Sequence, residues 1–197
     1  MAALVILIPA AGASRRMRGA DKLLEDIDGE PVLRRTARIA SEAAPVLVTL
    51  PDTGPLLPAR RAALAGLGAR ILPVADAHEG MAASLRAGAR EIGAAEGMMI
   101  LMPDMPEVTA DDLHRLAAAF AADPTRPLRA ATEDGTEAGH PVILPRRLMQ
   151  EVAVLNGDRG ARIVLEGETV RVLPLPGRRA VTDLDTPEDW EAWRAGR

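Results

Sequence analysis

The chain has 197 residues, of which 48% are hydrophobic and 26% charged, so it is long enough for one buried core and too polar for a membrane-embedded body. The net charge of −4 and the aromatic content of 2% argue against a general attraction for nucleic acid or anionic membranes, and against aromatic platforms for single strands. The chain has no cysteine, which excludes disulfides and thiolate zinc sites. We expect one domain over residues 1–197, with no nucleic-acid or membrane partner.

The first apolar run covers residues 2–8 and ends at Pro9, and no basic residue precedes Arg15. A secretory signal begins with basic residues, so this run predicts a buried strand instead. The lack of cysteine fits a reducing compartment. These features together predict a cytoplasmic protein.

Short runs rich in Val, Ile and Leu alternate with longer stretches of helical composition. The predicted strands cover residues 3–8, 46–50, 70–74, 98–102, 128–132, 142–144 and 170–173. The predicted helices cover residues 32–44, 56–67, 81–92, 109–122 and 187–194. This β-α-β-α order predicts an α/β fold whose parallel sheet is covered on both faces. The alternation loosens after Pro124, which divides the domain into halves at 1–123 and 124–197.

The segment IPAAGASRRMRGADKLL, residues 8–24, follows the first predicted strand. Its small side chains would let backbone N–H groups approach a ligand, and its basic residues would attract phosphate. Ligands of open α/β sheets settle at the carboxyl ends of the strands, which is where this loop lies. The alternative is an ordinary turn with solvated arginines, because a single Gly-containing loop is weak evidence for a phosphate site. The dinucleotide-binding pattern G-x-G-x-x-G and the Walker pattern are both absent.

The segment MMILMPDMPEVT, residues 98–109, is an apolar strand followed by Asp104 between two prolines. A carboxylate held rigidly at the end of a strand, facing the loop after the first strand, suits an oxygen-ligand site for Mg²⁺. The alternative is a turn aspartate beside prolines.

Several segments together resemble the molybdenum-cofactor nucleotidylyltransferases. Besides the two described above, they are GMAASLRAGA (80–89), GHPVILPRRL (139–148), NGDRGARIVL (156–165) and VTDLDTPEDW (181–190). The resemblance implies a three-layer α/β/α nucleotidyltransferase domain of the nucleotide-diphospho-sugar transferase type, with a Rossmann-like, mostly parallel sheet. It also implies that residues 1–123 form the nucleotide-binding half and residues 124–197 the acceptor-binding half.

The implied reaction is transfer of CMP from CTP to molybdopterin with release of pyrophosphate. The opening Ala10-Ala11-Gly12, the Lys-Leu-Leu triplet at 22–24 and GDRGAR resemble the cytidylyl branch of the family. The chain departs from the pattern at Arg18, where a glycine is common, and at Met105, where cytidylyl members often carry Gln. Alternatives are GTP as the donor, or a sugar 1-phosphate or methylerythritol phosphate as the acceptor. A different class of alternative is a non-catalytic nucleotide-binding module in molybdoenzyme maturation.

The resemblance assigns roles to individual residues and names a molybdoenzyme, or its maturation chaperone, as a further partner. The implied catalytic residues are Lys22, Arg15, Arg16 and Asp104. The implied nucleotide-binding residues are Ala10, Ala11, Gly12, Ala13, Ser14, Gly80, Met81, Ser84 and Pro103. The implied acceptor-binding residues are His140, Pro141, Asp158 and Arg162. The implied ligands of Mg²⁺ are Asp104, Asp183 and Asp185.

The spacing of Asp183 and Asp185 predicts that both face one side of a short strand. The alternative for Asp185 is a cap of the predicted helix at 187–194.

Overall fold

The computed structural model describes residues 4–156 and 160–197, in which strands and helices alternate along the first half. The strands are β1 Leu4–Pro9, β2 Asp26–Ile27, β3 Glu30–Pro31, β4 Val46–Pro51, β5 Arg70–Val74, β6 Gly97–Ile100, β7 Leu128–Ala131, β8 Ala138–Pro145 and β9 Arg171–Pro174. The helices are α1 Val32–Ala43, α2 Leu57–Ala63, α3 Met81–Arg90, α4 Ala110–Ala122, α5 Met149–Val152, α6 Arg162–Leu165 and α7 Pro187–Ala195. Within these described ranges, none of the helices combines the length and the apolar character needed to cross a bilayer.

Seven of the strands form one sheet in the order β5-β4-β1-β6-β8-β7-β9. The four strands from β5 to β6 run parallel, β8 runs antiparallel to both of its neighbours, and β9 is parallel to β7. The predicted mostly parallel sheet is therefore confirmed. The strands β2 and β3 form a separate antiparallel hairpin.

The core lies on both faces of this sheet, because successive side chains of a strand point to opposite faces. Ile6 and Ile8 of β1 pack in a cluster with α1 and α4, whereas Val5 and Leu7 pack in a second cluster with α3 and α5. Every residue of β1 is buried. The fold therefore has the predicted three α/β/α layers.

The first strand, β1, lies between β4 on one side and β6 on the other. Along the chain, β4 and β5 are added on one side of β1, and β6 is then added on the other side. The strand order therefore reverses at β1. Loops diverge at such a point and leave a crevice outside the carboxyl ends of the strands. The loop after β1 and the turn after β6 flank this crevice.

One predicted element is wrong. The segment around Asp183 and Asp185 is not a strand, and the two carboxylates do not share a strand face. The Leu184 N–H donates to the carbonyl of Asp104 at 3.0 Å, and the Leu184 side chain is buried. This backbone bond to the turn after β6, together with a bond from the Asp185 N–H to Asp189 Oδ2 at 3.1 Å, helps to hold the segment in place of a strand ladder.

The C-terminal helix α7 begins with a capping box formed by Thr186 and Asp189. Its Trp190 is buried in a small cluster with Met17, Ile27, Val32 and Leu184. Its second tryptophan, Trp193, donates from Nε1 to Glu107 at 3.2 Å. The helix therefore packs against both the loop after β1 and the turn after β6.

Candidate active site

The loop after β1, residues 10–21, reverses direction through residues in left-handed conformations. Ser14 has φ 49° and Arg18 has φ 52°, and Gly19 follows with φ 104°. Across residues 4–156 and 160–197, no hydrogen bond uses the backbone N–H groups of residues 11–14. Free N–H groups in such a bend are suited to bind an anion.

Ala10 is an exception among the residues predicted to bind phosphate. Its N–H donates to the carbonyl of Thr49 at 3.0 Å, which ties the end of β1 to β4. This donor already has a partner in the free protein, and the assignment of Ala10 to the nucleotide stays a prediction. The free amides of the loop begin at Ala11.

Lys22 faces Asp104 across the crevice, as the sequence predicted. Its ammonium lies 2.5 Å from Asp104 Oδ2 and 2.7 Å from Asp185 Oδ1. Burial acts to lower the pKa of Lys22, but the carboxylates of Asp104 and Asp185 outweigh burial and raise that pKa above its usual value. Lys22 therefore remains protonated at neutral pH and acts as a fixed cation between the two carboxylates.

The arginines of the loop differ in their partners. Arg16 forms an ion pair with Asp185 at 2.6 Å, and Arg18 forms one with Glu188 at 2.7 Å. Arg15 is exposed and lines the crevice, and it forms no ion pair within the described part of the chain. Arg15 is therefore the arginine of this loop that is available to a phosphate without breaking an existing ion pair.

The negative charge of the carboxylates near Lys22 is not fully neutralised by this lysine. Asp104 Oδ1 is buried and accepts no hydrogen bond. Burial, followed by the charges of Asp185 and Asp104, raises the pKa of Asp183. An oxygen without a partner, beside carboxylates whose mutual repulsion raises a pKa, leaves room for a further positive charge such as a divalent cation.

The three carboxylates do not form a closed metal cage. Within residues 4–156 and 160–197, no group of three or more His, Cys, Asp or Glu side chains is arranged to hold a metal ion. Lys22 lies between two of the predicted ligands, Asp104 and Asp185. Oxygen atoms from a ligand would have to complete the coordination, as is common for Mg²⁺ bound together with phosphates.

The crevice between β1 and β6 is a cleft of about 320 Å³. It collects most of the predicted nucleotide-binding and catalytic residues: Gly12, Ala13, Ser14, Arg15, Arg16, Lys22, Gly80, Met81, Ser84, Pro103, Asp104 and Asp185. Beside it lies a hollow of about 600 Å³, which includes Ala11 and His78 in its lining. The loop after β1 lines both spaces.

A second pocket of about 450 Å³ opens next to the cleft and includes the predicted acceptor residues His140 and Arg162. Burial, despite a hydrogen bond to the backbone of Ile100, lowers the pKa of His140, so its ring is neutral at neutral pH. Its Nδ1 is buried without a partner. Pro141 is buried within β8 and is not among the residues that line this pocket. Asp158 lies outside the described residues.

Met102 connects these spaces. It lines the cleft, the second pocket and a third space of about 290 Å³ that contains Asp104, Asp183 and His140. A ligand in the cleft and a ligand in the second pocket would therefore meet at Met102, two residues before Asp104. This arrangement suits a reaction between two bound molecules.

Three charged residues of the site were missed by sequence reasoning. Arg60 and Asp21 form a buried ion pair behind the loop after β1, and Arg129 lines the second pocket. A signal for Arg60 existed, since it lies three residues after Leu57 and four before Leu64, in the apolar stripe of α2. Arg129 carried no comparable signal, because arginines at strand positions are common on solvated faces.

Comparisons with known proteins show what the chain is similar to. A family model described as the MobA-like NTP transferase domain matches residues 6–172. A relative from Synechococcus elongatus, named "Probable molybdenum cofactor guanylyltransferase", is 30% identical over 195 residues, which cover 94% of this chain and 95% of the relative.

Solved structures extend the likeness. The Rv0371c protein of Mycobacterium tuberculosis is 32% identical with a TM-score of 0.82, covering 98% of this chain and 97% of its own. Its complex with manganese superimposes with a TM-score of 0.76 at 28% identity over the same fractions. CMP:2-keto-3-deoxy-manno-octonic acid synthetase, solved with CTP, has a TM-score of 0.75 at 20% identity, covering 98% of this chain and 97% of its own, and shares the fold.

Proposed function

Because the chain belongs to the MobA-like NTP transferase family and is a nucleotidyltransferase, we propose that it transfers a nucleoside monophosphate from an NTP to the phosphate of molybdopterin. Pyrophosphate is the second product. The observation that carries the proposal is the position of Lys22 opposite Asp104 in a cleft that continues into an acceptor-sized pocket. The lack of cysteine fits a reducing compartment, so we place the reaction in the cytoplasm, where the product would pass to a molybdoenzyme or its chaperone.

In the proposed reaction, a phosphate oxygen of the acceptor forms a bond to the α-phosphorus of the NTP. The bond from the α-phosphorus to the bridging oxygen breaks, and pyrophosphate leaves with its electron pair. This chemistry needs alignment and charge stabilisation more than a covalent intermediate. Protonated Lys22 supplies a fixed positive charge beside the reacting phosphorus, and the free amides from Ala11 onward supply donors for the other phosphates.

A divalent cation fits the carboxylates beside Lys22. Asp104 would hold it through the oxygen that lacks a hydrogen bond, with Asp185 and Asp183 nearby as further oxygen ligands. When bound, Mg²⁺ or Mn²⁺ would neutralise phosphate charge and orient the reacting groups. Lys22 and Arg16 both form ion pairs with Asp185 in the free protein. Binding of a cation to Asp185 would therefore rearrange these two ion pairs.

The acceptor site is proposed in the second pocket. Two arginines, Arg129 and Arg162, lie close enough for the charge of Arg162 to contribute, after burial, to the lowered pKa of Arg129. Arg129 donates to the carbonyls of Ala138 and Gly139 and has no carboxylate partner within the described part of the chain. Two adjacent cations that form no ion pair with a carboxylate of residues 4–156 or 160–197 suit an acceptor that carries phosphate.

The nucleotide we propose is CTP, on the resemblance of the opening motif to the cytidylyl branch. GTP is a second candidate, because the relative from Synechococcus elongatus is named a guanylyltransferase. The hollow beside the cleft has about 600 Å³, which is enough for either base.

The proposal is tested by measuring pyrophosphate release from purified protein with molybdopterin and each of the four NTPs. We expect release with CTP to exceed release with GTP, and release to require the acceptor. Preference for GTP would overturn the choice of nucleotide and keep the reaction. Nucleotide binding without release of pyrophosphate for any acceptor, including a sugar 1-phosphate and methylerythritol phosphate, would support a non-catalytic module instead.

Replacing Arg129 by Met should raise the KM for the acceptor about 10- to 100-fold, the usual effect of losing one charge-assisted hydrogen bond. The KM for the NTP should stay within about twofold, because Arg129 lies outside the nucleotide cleft. Steady-state kinetics with each substrate varied in turn measures both constants. Arg126→Met is a matched control, since Arg126 is a half-exposed arginine that precedes the same strand. An equal rise of both KM values would contradict the assignment of Arg129 to the acceptor.

A further inference from the structure

Arg60 of α2 lies directly behind the loop after β1. Its side chain is fully buried, and its carboxylate partner Asp21 is 4% exposed. Arg60 Nε and one terminal nitrogen hold the two oxygens of Asp21 at 2.7 and 2.8 Å. The other terminal nitrogen donates to the carbonyls of Ala10 and Gly12, each at 2.7 Å. A further bond reaches Ser14 Oγ at 3.1 Å.

These contacts use all five N–H donors of the guanidinium group, which has no spare donor for a ligand. Ser14 in turn donates to Asp21 Oδ1 at 2.8 Å. Burial acts to raise the pKa of Asp21, but the hydrogen bonds and charge of Arg60 outweigh it and lower that pKa. The ion pair is therefore kept charged inside the protein, at the base of the loop.

The two carbonyl contacts fix the direction of the peptide planes. In a trans peptide, the C=O and the following N–H point to opposite sides. Because the carbonyls of Ala10 and Gly12 point at Arg60, the N–H groups of Ala11 and Ala13 point away from it. Ala13 lines the cleft and Ala11 lines the adjoining hollow, and both amides are free of hydrogen bonds within the described residues.

We propose that Arg60, held by Asp21, is a positioning residue that orients the amides of the loop toward the phosphates of the nucleotide without touching them. The inference rests on the proposed function for the identity of its ligand. A lysine at position 60 would keep the charge but could not supply donors to Asp21, two carbonyls and Ser14 in one plane. Geometry, and not charge alone, is therefore the property that Arg60 contributes.

The test compares the wild-type protein with Arg60→Lys and Arg60→Met, using inorganic triphosphate as the binding probe and the NTP as substrate. Both variants should bind triphosphate about 100-fold more weakly and raise the KM for the NTP by a similar factor, with a smaller change in kcat, because small misplacements of binding groups have effects of this size. Arg60→Lys should not restore binding. Should Arg60→Met fail to fold, Arg60→Lys decides the question, with its folding checked by circular dichroism.

The matched control is Arg171→Met. Arg171 likewise bonds backbone carbonyls, those of Ala119 and Asp123, but at the end of α4 and away from the cleft. The Arg171→Met substitution should lower the Tm and leave the affinity for triphosphate unchanged. Wild-type affinity in folded Arg60→Lys would overturn the inference while the proposed function stands. Lost triphosphate binding in Arg60→Lys, with wild-type protein that turns over no NTP, would overturn the proposed reaction and leave the positioning role intact.

Discussion

Replacing Asp104 by Asn should lower kcat about 100- to 1000-fold, the range observed when one electrostatic contact to the reacting group is removed. The amide keeps the size of the side chain and can still accept a bond from Lys22, so the fold should persist. What it loses is the charge that would hold a divalent cation through Oδ1, the oxygen without a hydrogen bond. Pyrophosphate release measures the rate, and Mn²⁺ titration of the free protein should show weaker binding.

Asp111→Asn is the control for this variant. Asp111 is an exposed acid in the first turn of α4, only seven residues from Asp104 along the chain. Its replacement should change neither the rate nor the affinity for Mn²⁺. An Asp104→Asn protein with more than a tenth of the wild-type rate would remove Asp104 from the proposed cation site.

Replacing Lys22 by Met should also lower kcat about 100- to 1000-fold. The dissociation constant of the nucleotide should change much less, because the amides and Arg15 remain. The substitution also leaves Asp104 and Asp185 without the ammonium that they share. We therefore expect the free Lys22→Met protein to bind Mn²⁺ more tightly than the wild type, while it turns over more slowly.

A rise in Mn²⁺ affinity together with a fall in rate distinguishes a catalytic role of the Lys22 ammonium from a merely structural one. Lys22→Arg is the companion variant, since it keeps the charge but replaces a point donor by a planar group, and it should recover only part of the rate. Lys22 is the only lysine in the sequence, so methylation of its amine can be followed without interference from other side-chain amines. Unchanged turnover in Lys22→Met would remove Lys22 from the proposed catalytic machinery.

Much of the fold could be predicted because its central strands are buried on both faces. Such strands are continuous apolar runs, and the predicted strand at 46–50 differs from β4 only in its last residue. The predicted helix at 109–122 differs from α4 only in its first residue, because the N-cap Thr109 is visible in the sequence. Predictions were poorer in the second half. The strand predicted at 142–144 is part of the longer β8, whose first residues, including exposed Ala138, lack an apolar signal.

The candidate site was predicted where a motif carried the chemistry. Lys22 and Asp104 are 82 residues apart in sequence, and parallel strand order alone places their loops at the same edge of the sheet. Arg60 was missed because its role depends on hydrogen bonds to backbone carbonyls, which residue types do not indicate. The pairing of Lys22 with Asp185 was missed for a related reason, since the segment around Asp185 is placed by individual backbone and side-chain contacts and not by a strand.

The position of the C-terminal helix gives this protein a built-in optical probe. The chain has two tryptophans and no tyrosine, and both tryptophans are in α7. Trp190 packs against Met17, which lies between the loop arginines Arg16 and Arg18, and Trp193 is bonded to Glu107 just beyond Asp104. Intrinsic tryptophan fluorescence therefore originates from a helix that packs against both the loop after β1 and the turn after β6, so nucleotide binding can be followed in unlabelled protein.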